Sequence, residues 1–147
     1  MSKKAIRKFF TEDEEAQIVG TIQKAELATS GEIRVHIEEH CKGVAFERGT
    51  EIFGSLGMHK TALRNGVLFY LATKDHKFAI VGDKGINAKV PAGFWDTIRD
   101  EMQTAFKTGD FVGGLSVGIA RSGKALKEFF PYTAEDTNEL PNEISTS

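Results

Sequence analysis

Two short apolar runs, Val67-Leu68-Phe69-Tyr70-Leu71-Ala72 and Lys77-Phe78-Ala79-Ile80-Val81-Gly82, flank the polar stretch Thr73-Lys74-Asp75-His76. Both runs are rich in β-branched and aromatic residues, so residues 61–85 predict a β-hairpin. The first run is apolar throughout. That pattern predicts a strand covered on both faces and central to its sheet. A hairpin also lays Asn65, just before the first strand, beside Asp83, just after the second.

The flanking segments follow in order. Thr11 with Glu14 fits a capping box, and Glu12, Asp13 and Glu14 suit the positive end of a helix. Ile18, Ile22 and Ala25 continue at helical spacing, and Gly31 suits the helix stop. Residues 32–39 alternate, with Ile33, Val35 and Ile37 on one side and Glu32, Arg34, His36 and Glu38 on the other. This predicts a strand with one polar face, at a sheet edge. Residues 44–58 predict a second helix, with Ala45, Ile52, Phe53 and Leu56 on one side. A strand–helix–strand unit of this length implies parallel pairing and a right-handed crossover. Residues 86–91 read as an irregular turn, and Pro91 opens a third helix with Phe94, Trp95, Ile98, Met102, Ala105 and Phe106 as its apolar stripe. Gly109 stops it. Asp110 then caps a fourth helix carrying Val112, Leu115, Ile119, Leu126 and Phe129. Glycines inside that helix are costly unless they permit close packing.

The order helix, strand, helix, strand, strand, helix, helix implies an α/β fold, a three-layer α/β/α sandwich around a small mixed β-sheet. The expected divisions are a basic N-terminal arm over 1–10, the folded domain over 11–131, and an acidic tail over 132–147. The tail holds Glu135, Asp136, Glu139 and Glu143 with no Lys or Arg, which predicts disorder.

Composition adds bounds to this picture. A chain of 147 residues suits one domain, and 40% hydrophobic residues suffice for a core. A net charge of −2 and a pI near 6.1 carry no footprint for nucleic acid. No apolar run reaches the roughly 20 residues that span a bilayer. The charged N-terminus lacks the apolar region of a signal peptide, so a cytoplasmic location is expected. The single cysteine, Cys41, excludes an internal disulfide and forms no zinc pattern.

The expected topology sorts polar residues onto two rims of the sheet. One gathers Ser30, Gly31, Glu32, Asn65, Gly66, Asp83, Lys84 and Gly85; the other gathers Glu38, Glu39, His40, Asp75, His76, Gly109 and Asp110. Two carboxylates, an amide oxygen and backbone carbonyls on the first rim suit a hard cation. The plainer reading is that Asp83 and Asn65 make turn hydrogen bonds. The tendency of ligands to bind beyond strand carboxyl ends favours the second rim, but it applies poorly to a sheet with one parallel pair. Other motifs fail. Gly118–Lys124 has a phosphate-loop spacing, but Ala125 replaces the hydroxyl that would hold magnesium, and the segment reads as helix interior. Cys41 and Arg48 are one residue too far apart for a cysteine phosphatase loop. His36, His40, His59 and His76 share no ligand spacing. No nucleophile elbow is present.

An ordered set of short motifs remains: Ser30-Gly31-Glu32-Ile33-Arg34-Val35, then Gly57-Met58-His59-Lys60-Thr61 with Asn65-Gly66-Val67-Leu68, then Ile80-Val81-Gly82-Asp83-Lys84-Gly85-Ile86, Trp95, Phe111 with Gly113-Gly114-Leu115, and Phe129-Phe130-Pro131. Over roughly residues 11–131 this set resembles the TPM domain family, also labelled TPM phosphatase, which includes thylakoid-lumen proteins of photosystem II repair and many bacterial proteins. The resemblance implies the same sandwich, divalent-metal binding, chiefly of calcium, and in some plant members a weak acid phosphatase activity. The positions that match the family are Glu32, Asn65, Gly66, Asp83 and Gly85, with Asp110 at an acidic position before the last helix. Many relatives carry a signal peptide and a membrane segment; this sequence shows neither.

Two function classes follow as expectations. The first is a divalent-metal-binding accessory or interaction domain without strong catalysis. It would hold Ca2+ or Mg2+ weakly through Glu32, Asn65, Asp83 and Asp110, with a phosphate-containing ligand or a protein as partner, no nucleic acid and no membrane span. The second is a weak metal-assisted acid phosphatase, with Asp83 as ligand or base and Lys84 or Arg64 neutralising phosphate. The absence of a nucleophile or a second-metal cluster favours the first.

Overall fold

The computed structural model describes residues 9–132 and 144–147. The elements are α1 (Glu12–Glu26), β1 (Glu32–Glu38), α2 (Ala45–Ser55), a 3-10 turn (Met58–Lys60), β2 (Gly66–Ala72), β3 (Lys77–Gly82), a short helical turn α3 (Lys84–Asn87), α4 (Phe94–Lys107), α5 (Phe111–Phe129) and β4 (Ser145–Thr146). The sheet order is β3-β2-β1-β4. β1 runs parallel to β2 and to β4, and β2 is antiparallel to β3. The molecule is the expected α/β/α sandwich around a mixed sheet.

Local chemistry explains most boundaries. Thr11 and Glu14 form the full capping box at the start of α1. Asp110 caps α5 through the Gly113 N–H at 2.8 Å. The segment with phosphate-loop spacing lies inside α5, where no backbone loop is available to cradle an anion. The third helix does not begin at Pro91. Pro91–Gly93 form a turn, and Gly93, with φ of +79°, releases the chain into α4 at Phe94. Residues 84–87 make one helical turn that Asp83 caps, so the first two residues of the irregular turn expected over 86–91 are helical.

Two cores lie on the two faces of the sheet. Ile33, Val35, Ile37, Val67, Phe69 and Leu71 face a large core with α1, α4 and α5. Leu68, Tyr70, Ala72, Ala79 and Val81 face a smaller one under α2, where Ile52, Phe53 and Cys41 pack. The glycines of α5 mark close approach, as expected. At Gly118 an added Cβ would lie 2.6 Å from the Met102 sulfur and 2.7 Å from the Phe69 ring.

Three further expectations need correction. First, β1 is not an edge strand. It is flanked by β2 and β4, and all seven of its residues are buried. Second, the disordered tail expected over 132–147 does not hold at its end. Ser145 and Thr146 pair with His36 and Ile37, and Ile144 is buried in the large core. One apolar side chain and a two-residue polar strand suffice because β1 offers a ready backbone ladder; residues 133–143 lie outside the described residues. Third, the arm expected over 1–10 ends inside the fold, since Phe10 is buried and Phe9 packs against Phe111. Residues 1–8 of that arm lie outside the described residues.

Candidate functional site

The rim at the start of β2 is built by the hairpin and the parallel pair together. Glu32 is the register partner of Gly66. The Glu32 N–H donates to the Asn65 carbonyl at 3.4 Å, and the Asp83 N–H donates to the Gly66 carbonyl at 2.9 Å. The backbones of Glu32, Asn65 and Asp83 therefore meet around Gly66, as the topology predicts. Glu32 is 2% exposed, Asn65 1% and Asp83 6%.

The side chains are arranged less simply. Asp83 is held by Arg64, whose Nε and Nη2 donate to its two oxygens at 2.8 and 2.9 Å. One of those oxygens also accepts from the Lys84 N–H at 2.8 Å. A bidentate guanidinium pair is among the strongest that a carboxylate makes. Asn65 donates to the Ser30 hydroxyl at 3.4 Å. Asp110 is elsewhere. Its neighbour Phe111 lines a cavity with His76 and Leu71, at the opposite end of the strands. The sequence-derived set is thus three residues at one rim and a helix cap at the other. Among the described residues, no three of His, Cys, Asp or Glu come together as a metal cluster.

The structure adds a carboxylate that the pattern did not single out. Glu26, at the end of α1, accepts from the Ile33 N–H at 2.8 Å and shares a hydrogen bond with Glu32. Burial pushes the Glu26 carboxyl up to about 7, against the opposing hydrogen bonds from Ile33 and Glu32. A signal for it was present. A carboxylate in the last turn of a helix opposes the helix dipole, so Glu26 is placed where α1 itself gains nothing from it.

A second polar group runs along β1 towards its other end. Its side chains fall on the α2 face of the sheet, and they are buried. His36 is bonded to the Ser145 hydroxyl at 2.8 Å and the Ser147 hydroxyl at 2.6 Å, and it stacks beside Tyr70. Burial lowers its pKa to about 4, so it is neutral at pH 7. Glu38 receives Arg48 Nε and Nη2, both at 2.9 Å, the Ser147 hydroxyl at 2.8 Å, and the Tyr70 hydroxyl. Burial opposes its ionisation, but these donors outweigh burial and hold it down at about 2. The same contact, after burial, raises the Tyr70 hydroxyl. The pattern of residues 32–39 showed the alternation but not its burial, because the covering groups come from α2, β2 and the chain end.

The remaining acids of that end are paired. Asp75 binds His40 at 3.0 Å and the Cys41 N–H at 2.7 Å, and Glu39 pairs with Lys74 at 2.7 Å. Cys41 is buried and free.

No helix among the described residues is long and apolar enough to cross a membrane. Comparison with known proteins places this arrangement in a family. The chain is 48% identical to the BA42 protein of the psychrophilic bacterium Bizionia argentinensis, whose solved structure matches with a TM-score of 0.88 over 95% of this chain and 96% of that one. The N-terminal domain of the cg2496 protein of Corynebacterium glutamicum shares the fold at 14% identity, with a TM-score of 0.63 over 80% of this chain and 74% of that one. No curated protein matches. A family model described as the TPM domain matches residues 6–125, and the chain belongs to the TPM domain family.

Proposed function

We propose that this chain is a divalent-cation-binding accessory domain without strong catalysis, and that calcium or magnesium is taken at the rim where β2 begins. The observation that supports this reading is the Glu26–Glu32 pair: two hard oxygen donors, one of them keeping its proton up to about 7. A carboxyl pair that retains a proton under burial is a seat that a divalent ion can occupy by displacing it. Glu32, Glu26 and Asn65 fit the donor chemistry. Asp83 and Asp110 fit it poorly, because Arg64 occupies both oxygens of the first and the second caps α5. With two carboxylates the affinity expected is on the order of 10⁻⁴–10⁻³ M. When bound, the cation would supply positive charge for an anionic co-ligand.

The phosphatase alternative takes Asp83 as ligand or base, with Lys84 or Arg64 for the phosphate. Both oxygens of Asp83 are held by Arg64, which is why the non-catalytic reading is preferred. A calcium titration followed through backbone amides tests the proposal. Shifts should appear together near Gly31, Ile33 and Asn65, weaken as pH falls below about 7, and vanish in Glu32→Gln. Shifts that persist in that variant, or that cluster near Asp75 and Asp110, sink it. Hydrolysis of an aryl phosphate that Asp83→Ala abolishes would restore the enzyme reading.

A further inference from the structure

The free edge of β3 carries features that neither the cation rim nor the cores explain. Among the described residues, β3 is the last strand on its side of the sheet. The hydrogen bond from the Asp83 N–H to the Gly66 carbonyl fixes which residues face β2. In an antiparallel ladder the bonded pairs alternate, so with the register Leu68↔Val81 and Tyr70↔Ala79, the residues between them turn their backbone outward. Phe78 and Ile80 therefore present N–H and C=O groups away from β2. Among the described residues no hydrogen bond reaches them. The open stretch ends at Gly82, whose carbonyl accepts from Asn87 at 2.8 Å.

This edge lacks the usual guards. Between Lys77 and Asp83 it has no charge, proline or bulge, and an unguarded apolar edge strand invites another strand. It also has walls. A cavity of about 250 Å³ runs along it, bounded by Val44 and Phe46 at the start of α2 on one face and by Trp95 and Arg99 of α4 on the other. Val44 is 57% exposed and Phe46 49%, two of the most exposed large apolar side chains described. Walls on both faces leave room for one extended chain beside β3. A second copy would have to bring its own covering helices into the same space. The only charge in the lining is the guanidinium of Arg99, whose ion pair with Asp96 is solvent-exposed and worth little.

We propose that the β3 edge receives an extended segment of a protein partner as an added strand, its backbone bonded to Phe78 and Ile80, its apolar side chains against Phe46 and Trp95, and a carboxylate towards Arg99. Main-chain bonds would supply affinity and the two walls would supply specificity. The inference does not depend on the cation.

The test is a titration of the nitrogen-15-labelled full chain with a capped octapeptide alternating valine and threonine around one central glutamate. The control is the same octapeptide N-methylated at alternate amides. Saturable shifts at the Phe78 and Ile80 amides are expected at about millimolar peptide, with their hydrogen exchange slowed about tenfold. The methylated control should do neither. Phe46→Ser and Arg99→Glu, both at exposed side chains, should weaken binding severalfold while leaving the spectrum of the free protein in place. The proposal is overturned if these amides do not respond, or if the methylated peptide acts equally well. It is also overturned if the two amides become protected as the concentration of the protein alone rises, since the occupant is then a second copy.

Discussion

On one side of the sheet, Ser145 and Thr146 pair with His36 and Ile37, and the Ser147 N–H reaches the Ile37 carbonyl at 3.2 Å. On the other side, Phe78 and Ile80 turn their backbone groups to solvent beside a groove. The two edges also differ in side chains. β1 buries His36 and Glu38 among hydroxyls and a guanidinium, whereas the middle of β3 is apolar. The difference follows from what each edge asks of its cover. A buried polar stripe needs specific donors and acceptors, and leaving one unmatched is costly. The chain supplies them itself, from Arg48, Tyr70, Ser145 and Ser147. An apolar edge asks only for a backbone and some side-chain volume, which a partner can bring.

The largest expected effect lies on the closed edge. Glu38→Ala removes the acceptor shared by Arg48, Tyr70 and Ser147, leaves a buried hydroxyl unmatched and leaves Arg48 only its exposed ion pair with Glu51. Urea denaturation should show a loss of about 3–5 kcal/mol. A loss under about 1 kcal/mol would mean the network is hydrated and the contrast between the edges is only one of sequence.

Deleting residues 144–147 should come next. It exposes Ile144 and the β1 ladder and strips His36 of both hydroxyl partners. Burial of one isoleucine plus a few hydrogen bonds predicts a loss of roughly 2–4 kcal/mol, seen as a fall of several degrees in melting temperature. An unchanged melting temperature would show that the chain end does not close this edge in solution.

A pH series sharpens the same point. Burial lowers His36 from 6.5 to about 4, so between these values the unfolded chain holds a proton that the folded chain does not. Stability is fully present above about pH 6.5 and falls as pH drops towards 4, by on the order of 2–3 kcal/mol from this group. His36→Gln should flatten that slope, and so should deletion of residues 144–147, which lets water reach the ring. Equal slopes in all three proteins would place the titration elsewhere.

The smallest expected effect is on the open edge. Phe46→Ser should change stability by less than about 0.5 kcal/mol, because the ring is half exposed. A clear loss in thermal denaturation would mean that the β3 groove is part of the core and not a receiving surface.

Much of this organisation was legible from local pattern. The continuous apolar run at 67–72 marked an interior strand, and Thr11 with Glu14 marked a helix start, because both signals are written within a few residues. The meeting of Asn65 with Asp83 followed from hairpin pairing alone. Asp83 as a free ligand did not follow, since Arg64 sits next to Asn65 and reaches back to it. Glu26 was overlooked because its partner, Glu32, lies beyond the turn that ends α1.

What the sequence determined by itself is the long helices, the strands β1 to β3 and the apolar side of each, since periods of 2 and 3.6 are properties of the local backbone, whereas β4 and the turn at 84–87 are too short to show a period. What only the tertiary structure decided is the fate of the polar side. Alternation in residues 32–39 states that two faces differ; it does not state whether water or protein covers the charged one. That cover is assembled from Arg48, Tyr70 and Ser147, the last of them 109 residues along the chain from Glu38. Burial is a property of the volume around a residue, and that volume is filled by segments that no local period can name.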